Sequence, residues 1–141
     1  MQLHFTIAEM QEYLREVFPQ LADRFEVLEL EPCFASVRMI ATEADLRPGD
    51  TVSGPAMFTL ADCAFYIATL AVIGREALTV TTSCSIDFMR KPGTGALTAE
   101  TRILKLGRSL SVGDVLIFSE GVDGPVARAG LTYSIPPRRT V

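Results

Sequence analysis

Hydrophobic and polar positions along this chain follow two periods, and each change of period marks a new element. From Thr6 to Leu21 the apolar residues Ile7, Met10, Leu14, Val17, Phe18 and Leu21 recur at helical spacing. Thr6, with Glu9 three residues later, is a capping-box pattern that starts this helix, and Pro19 is placed to break its last turn. Alternation of period two follows. Phe25 to Glu31 is a predicted strand with Phe25, Val27 and Glu29 on one face, and Pro32 interrupts it. Cys33 to Thr42 is a second strand. Cys33, Ala35, Val37 and Met39 form its core face, and Phe34, Ser36, Arg38 and Ile40 the other. Glu43 to Gly54 is a loop with turn chemistry at Pro48-Gly49.

The stretch from Pro55 to Ile73 breaks the alternation. It reads as a helix that is apolar almost all round, with Gly54 as its N-cap, Pro55 at its first position and Gly74 as its stop. Thr59, Asp62, Tyr66 and Thr69 lie at offsets of 0, 3, 7 and 10 and share one helical face. Beyond it, period two returns. Leu78–Met89, Ala96–Lys105, Leu110–Ser119 and Val126–Ile135 are predicted strands. Their connections are Arg90–Gly95, the tight turn Leu106-Gly-Arg108 and the turn Val122–Pro125, with Gly113 a bulge or a point of close approach. Short hairpins joining these four make them antiparallel. Pro136-Pro137 ends the set, and the last four residues are expected to be loose. Six strands around one long helix give an α+β fold with the sheet wrapped on the helix.

Composition narrows the class. The chain has 141 residues, 48% apolar and 21% charged, which is one globular domain over residues 1–141. A net charge of −4 with no basic stripe argues against nucleic acid, and the pairs Arg90-Lys91 and Arg138-Arg139 are too short to change that. Cys33, Cys63 and Cys84 are an odd set without a CxxC pair, so reduced, buried thiols in a cytoplasmic protein are expected. His4 is the only histidine and is expected at the surface, so no metal site is read. No basic-then-apolar leader is visible, and Pro55–Ile73 is only marginally long for a membrane span. Its Asp62 and its company of strands argue against membrane insertion.

Asp62 is the one charge in the apolar helix. Burying a carboxylate costs several kcal/mol unless it is paired or solvated, so its presence calls for a function.

This order of elements, with these residues, resembles the hotdog-fold acyl-CoA thioesterases, in particular the phenylacetate-pathway and 4-hydroxybenzoyl-CoA thioesterase-like branch. Ser53-Gly-Pro-Ala-Met-Phe-Thr-Leu-Ala-Asp62 is similar to that family's His-Gly-Gly-x-x-x-x-Leu-Ala-Asp motif. Ile86-Asp-Phe-Met-Arg-Lys-Pro92 looks like its Phe-x-Arg/Lys-Pro step, and Gly107-Arg108 like the turn before its fifth strand. The resemblance spans about residue 25 to residue 135. It implies a hotdog fold: an antiparallel sheet wrapped around one long central helix, with an N-terminal helix outside. It also implies that Asp62 is the catalytic carboxylate, as nucleophile or as base toward water, and that the Gly54 N–H polarises the thioester carbonyl. The physics agrees, because a helix N-terminus carries free N–H groups and partial positive charge where an oxyanion develops. Gly54 and Asp62 are eight residues apart, about 12 Å of helix rise, too far to close on one thioester. The family's arrangement, a homodimer with antiparallel central helices, or a dimer of dimers, is the implied solution. Two departures stand out: Ser53 replaces the motif histidine, and Pro55 the second glycine.

Further substrate-binding candidates are Ser53, Pro55, Thr59, Tyr66, Ser83, Ser85, Phe88, Arg90, Lys91 and Arg108, with Lys105 another cation near the strand ends. The cations would serve the phosphates of coenzyme A, which enters only as part of the substrate; no separate cofactor is implied. The region of Ala96–Lys105 and Leu110–Ser119 is expected to carry the CoA tail. Met57, Phe58, Phe65 and Phe88 are core residues by default, the outer ones lining an acyl pocket. The plainer readings are hydroxyls satisfying helix carbonyls and solvated surface charges. For Asp62 it is a carboxylate paired with an arginine, such as Arg38. A dehydratase of this fold needs a histidine, which His4 is badly placed to supply. A non-catalytic acyl-CoA binder is the remaining alternative to thioester hydrolysis.

Overall fold

The computed structural model describes residues 1–137; the expectations for the last four residues and for Arg138-Arg139 lie outside the described residues. Helix α1 spans Ile7–Val17, shorter than the predicted Thr6–Leu21. Thr6 and Glu9 form the predicted capping box, with Glu9 N–H donating to Thr6 Oγ1 at 3.1 Å. Its apolar stripe places Met10, Tyr13 and Leu14 in the core. The helix ends ahead of Pro19, and a short 3-10 turn, Ala22–Arg24, leads into the first strand.

Eight strands follow in chain order: β1 Phe25–Glu31, β2 Phe34–Ile40, β3 Leu46–Arg47, β4 Thr51–Val52, β5 Val80–Phe88, β6 Ala96–Leu106, β7 Leu110–Ser119 and β8 Ala127–Ser134. Helix α2, Gly54–Ile73, lies between β4 and β5. Six strands make one antiparallel sheet in the order β1-β2-β6-β7-β8-β5, and β3 and β4 form a two-residue ladder in the loop before α2. All six are antiparallel, as predicted for the last four strands and as the resemblance implied for the sheet, but the hairpin expected between β5 and β6 does not form. β5 sits at the edge on β8, while β6 pairs with β2 and β7.

The alternation of β2 places Ala35, Val37 and Met39 on the core face, while Cys33 lies in the turn before it at φ 64°. In β1 a register shift between Val27 and Glu29 changes the inward set, so Leu30 rather than Glu29 packs against the core.

The sheet wraps α2, which packs against β2, β6 and β7. Phe65, Leu60 and Leu70 are fully buried and share one core with Val37, Leu97 and Ile117 from the strands. Each such side chain contributes about 1.5–3 kcal/mol of burial. Alanines at 56, 61, 64, 68 and 71 keep the helix slim enough for the strands to approach. Gly113 is the point of closest approach: a Cβ there would meet the Arg102 carbonyl oxygen at 2.1 Å and the Phe65 ring at 2.8 Å. The helix stops at Gly74, as expected, with φ 98°. The architecture is a hotdog fold, with the apolar helix as its core rather than a membrane span.

One expectation about the start of α2 is corrected. Ser53, not Gly54, is the N-cap: its backbone is extended, and its Oγ accepts from Ala56 N–H at 3.3 Å. Gly54 is therefore the first helical residue and Pro55 the second. A serine oxygen offers an acceptor to the free N–H groups of the first turn, which glycine lacks, so Ser53 takes the cap.

Candidate active site

The loop predicted over residues 43–54 is built to hold the start of α2. Buried Asp45 receives the Thr42 N–H at 2.9 Å and the Arg24 guanidinium at 2.5 Å. Burial alone pushes the Asp45 carboxyl up, but the Thr42 N–H and the Arg24 guanidinium outweigh it and hold it below the usual carboxylate range. The Asp45 carbonyl in turn accepts from Ser53 N–H at 2.7 Å, fixing the N-cap in place.

The first turn of α2 then presents one open donor. Pro55 has no N–H, Ala56 N–H is taken by the Ser53 side chain, and Met57 N–H by the Ser53 carbonyl at 3.1 Å. Among the described residues no acceptor meets the Gly54 N–H. It borders a cleft of about 710 Å³ lined by Arg47, Phe88, Met89, Arg90, Lys91 and Pro92. The Phe88 ring lies over Gly54, 3.1 Å from where a Cβ would sit. Phe88 is 52% exposed and Phe58 38% exposed, so neither is a core residue as expected. Both stand where the sheet leaves the start of the helix uncovered.

Two turns along, Asp62 is half-buried and opens into a different cleft of about 260 Å³. Its Oδ1 accepts from Thr81 Oγ1 at 2.6 Å and from the Tyr133 hydroxyl at 2.7 Å. Among the described residues Oδ2 receives no hydrogen bond and no cation pairs with the carboxylate. Arg38, the partner considered from the sequence, pairs with Glu26 instead. The carboxylate is thus held by neutral groups. Burial, and then the charge of Asp62, raise the Tyr133 phenol far above its ordinary value, so it stays a hydrogen-bond donor. The neighbouring thiol of Cys63 is pushed up to about 12, by burial and then by Asp62. A carboxylate oriented but not neutralised keeps one oxygen free to take a proton or attack a carbon.

The other predicted residues fall into five groups. Tyr66 lines the Asp62 cleft and donates to the Ala77 carbonyl at 2.9 Å. Thr59 donates to the Pro55 carbonyl at 3.0 Å, and buried Thr69 bonds Ser111, so both hydroxyls satisfy local structure. Ser53, Arg90 and Lys91 lie around Gly54, and exposed Pro55 adjoins them; Arg90 donates to the Pro125 carbonyl at 2.6 Å. Ser83 and Ser85 pair with Thr132 and Gly130, on the face of β5 turned away from α2. Arg108 lies apart, in a cleft of about 750 Å³ at the Ile73 end of the helix. His4 is exposed as expected. The cysteines are free, but only Cys63 is buried; Cys33 and Cys84 are half-buried, each on an edge strand or its turn. No group of three or more His, Cys, Asp or Glu side chains is placed to hold a metal ion among the described residues.

Sequence reasoning missed Thr81 and Tyr133. A signal existed for the tyrosine. The core face of β8 reads Ala127, Ala129, Leu131, Tyr133, and a phenol at the end of such a face needs a buried partner.

Residues 49–125 match the profile of the Thioesterase superfamily. Among solved structures, a Silicibacter sp. TM1040 protein assigned as a thioesterase is 53% identical over 97% of this chain and 96% of that one, with a TM-score of 0.89. A variant of the phenylacetic acid degradation protein PaaI from Thermus thermophilus is 28% identical over 84% of this chain and 99% of that one, with a TM-score of 0.72. A Streptococcus mutans protein bound to acetyl CoA shares the fold at 22% identity, over 82% and 91% of the two chains, with a TM-score of 0.72. Curated proteins contain no significant match to the sequence.

Proposed function

The chain belongs to the thioesterase superfamily and is a thioester hydrolase, and from that premise we propose that it cleaves an acyl-CoA in a site shared by two copies of the chain, Asp62 of one facing the Gly54 N–H of the other. The observation that carries the reading is the Asp62 carboxylate: one oxygen held by two neutral hydroxyls, the other open in a cleft, and no cation to quench it. Oδ2 takes the proton of the attacking water, or attacks the thioester carbonyl carbon itself. The carbonyl oxygen becomes an oxyanion and is held by the Gly54 N–H. The carbon–sulfur bond then breaks, and the CoA sulfur leaves as the free thiol, with the proton Asp62 took from water in the first route or one from solvent in the second. In the second route a water then hydrolyses the acyl–Asp62 anhydride to the free acid and restores the carboxylate.

The shared site rests on three features. Gly54 and Asp62 open into separate clefts of one chain, about 12 Å apart along the helix axis. β5, which borders both, is an edge strand with exposed Leu78, Val80, Phe88 and Met89 at and around it. A nine-residue edge strand with an unpaired backbone edge and exposed apolar residues at its ends is a template for pairing with a second chain, and pairing two copies antiparallel brings their α2 helices side by side. The assembly proposed is a dimer, or a dimer of dimers. An acyl-CoA substrate is supported by the acetyl CoA held by the Streptococcus mutans protein of the same fold. Arg90 and Lys91, joined by Arg47, offer positive charge beside Gly54 for the CoA phosphates. Arg108, at the other end of the helix, serves the CoA tail only through a surface remote from Gly54 of its own chain. Free thiols suit a reducing, cytoplasmic setting.

The test is a hydrolysis screen on short, medium, long and aromatic acyl-CoAs, with released thiol trapped by a dye and Asp62→Asn assayed alongside. Cleavage of at least one acyl-CoA, lost in the variant, supports the reading. An Asp62→Asn variant as fast as the wild type contradicts it.

A further inference from the structure

We propose that Tyr133 is a positioning residue that selects which oxygen of Asp62 reacts, by tying Oδ1 to the helix backbone and leaving Oδ2 to the substrate. The inference rests on Asp62 being the reacting carboxylate. The Tyr133 hydroxyl lies 2.7 Å from Asp62 Oδ1 and 2.8 Å from the Asp62 main-chain carbonyl. The single phenol proton is shared between Oδ1 and the peptide carbonyl of the same residue, which holds the carboxylate folded back against its own stretch of helix. Thr81 closes the arrangement from the other side of Oδ1, at 2.6 Å.

The clamp itself is rigid. Tyr133 is 2% exposed, and its ring packs on Phe65 with centroids 5.3 Å apart and on Tyr66 at 6.2 Å. It stands opposite Thr81 in the β5–β8 register, so both donors reach α2 from adjacent strands at one level. The register shift between Thr81 and Ser83 lets Thr81 point inward while Cys84 and Ile86 continue the inward face. A lysine or arginine at this place would hold the carboxylate equally well but would neutralise it. A phenol holds it and leaves the charge on the carboxylate for chemistry.

The experiment compares kcat, KM and melting temperature of the homogeneous enzyme on whichever acyl-CoA it cleaves. Tyr133→Phe removes only the hydroxyl. A kcat loss of roughly tenfold or more with KM little changed is expected, because a carboxylate free to rotate is misplaced in most encounters. Two variants keep the test decisive if the phenylalanine change disturbs folding. Tyr133→4-aminophenylalanine fills the site and retains a neutral donor, so it should restore kcat. Tyr133→4-methylphenylalanine fills the site without a donor, so it should not. Equal kcat for these two, or a Tyr133→Phe enzyme with wild-type kcat and only a lowered melting temperature, would overturn the inference. Asp62→Asn separates the premise: if it is inactive while Tyr133→Phe is fully active, the clamp alone is refuted. If Asp62→Asn is fully active, the carboxylate reading and the clamp both fall.

Discussion

The donor at the start of α2 can be removed at a position whose N–H makes no helical hydrogen bond. Gly54 is the first helical residue, a position that proline occupies readily because its fixed φ suits the helix and its missing N–H breaks no helical bond. Ser53, before it, has φ −74° and ψ 157°, the extended backbone a residue preceding proline adopts. Gly54→Pro therefore deletes the one open N–H of the first turn. The side effects are steric: the new Cβ presses on the Phe88 ring at 3.1 Å, which is half exposed and can swing away, and it crowds the ring of Pro55, the next residue. Gly54→Ala places the same Cβ against the same ring and keeps the N–H. The ratio of the two variants isolates the donor. Loss of one oxyanion donor costs about 10²–10³ in kcat, about 2.7–4 kcal/mol, so the proline variant should be slower than the alanine variant by that factor. The assay is steady-state release of the CoA thiol, with melting temperatures confirming that both variants are folded. Equal kcat in the two variants would refute the assignment of Gly54 N–H as the oxyanion donor.

Two further outcomes follow from packing and charge. Gly113→Ala should destabilise the fold by about 3 kcal/mol or more in urea titration, since its Cβ overlaps the Arg102 carbonyl, which is backbone and cannot yield. Asp45 has a folded pKa below its unfolded one, so its contribution to stability is present above the unfolded value and is lost as pH falls through the folded one. The stability of Asp45→Asn should accordingly fall less steeply than that of the wild type below about pH 4, as read by chemical denaturation across pH.

The parts of the fold legible in the sequence were those written in local pattern. The capping box at Thr6, the strand faces of β2, and the apolar helix with its Gly74 stop all depend on residues a few positions apart, and the structure has them. The strand order was not legible, because the chain carries no local record of β5 joining β8 across the intervening β6 and β7. Asp62 stood out as a lone charge on an apolar helix, but its partners did not. Thr81 and Tyr133 lie 19 and 71 residues away and look like ordinary strand residues until the register sets them opposite each other. The same register shift explains Ser83 and Ser85. Simple alternation gives no warning that a bulge will carry the inward hydroxyl at Thr81 and turn these two serines to the outer face. At the start of α2, the Gly-Pro pair suggested a glycine cap. The acceptor oxygen of Ser53 won the position because it satisfies an N–H that glycine would leave bare.

The central claim is that each active site takes Asp62 from one chain and the Gly54 N–H from another. Mixing Asp62→Asn with Gly54→Pro after subunit exchange tests it directly. Neither parent has an intact pair, but a mixed dimer contains one site with Asp62 from the proline chain and Gly54 from the asparagine chain. Random exchange makes half the dimers mixed, with one working site of two, so activity should rise to about a quarter of the wild-type value. A mixture that stays as inactive as its parents, although mass spectrometry finds the mixed dimer, would contradict the shared site.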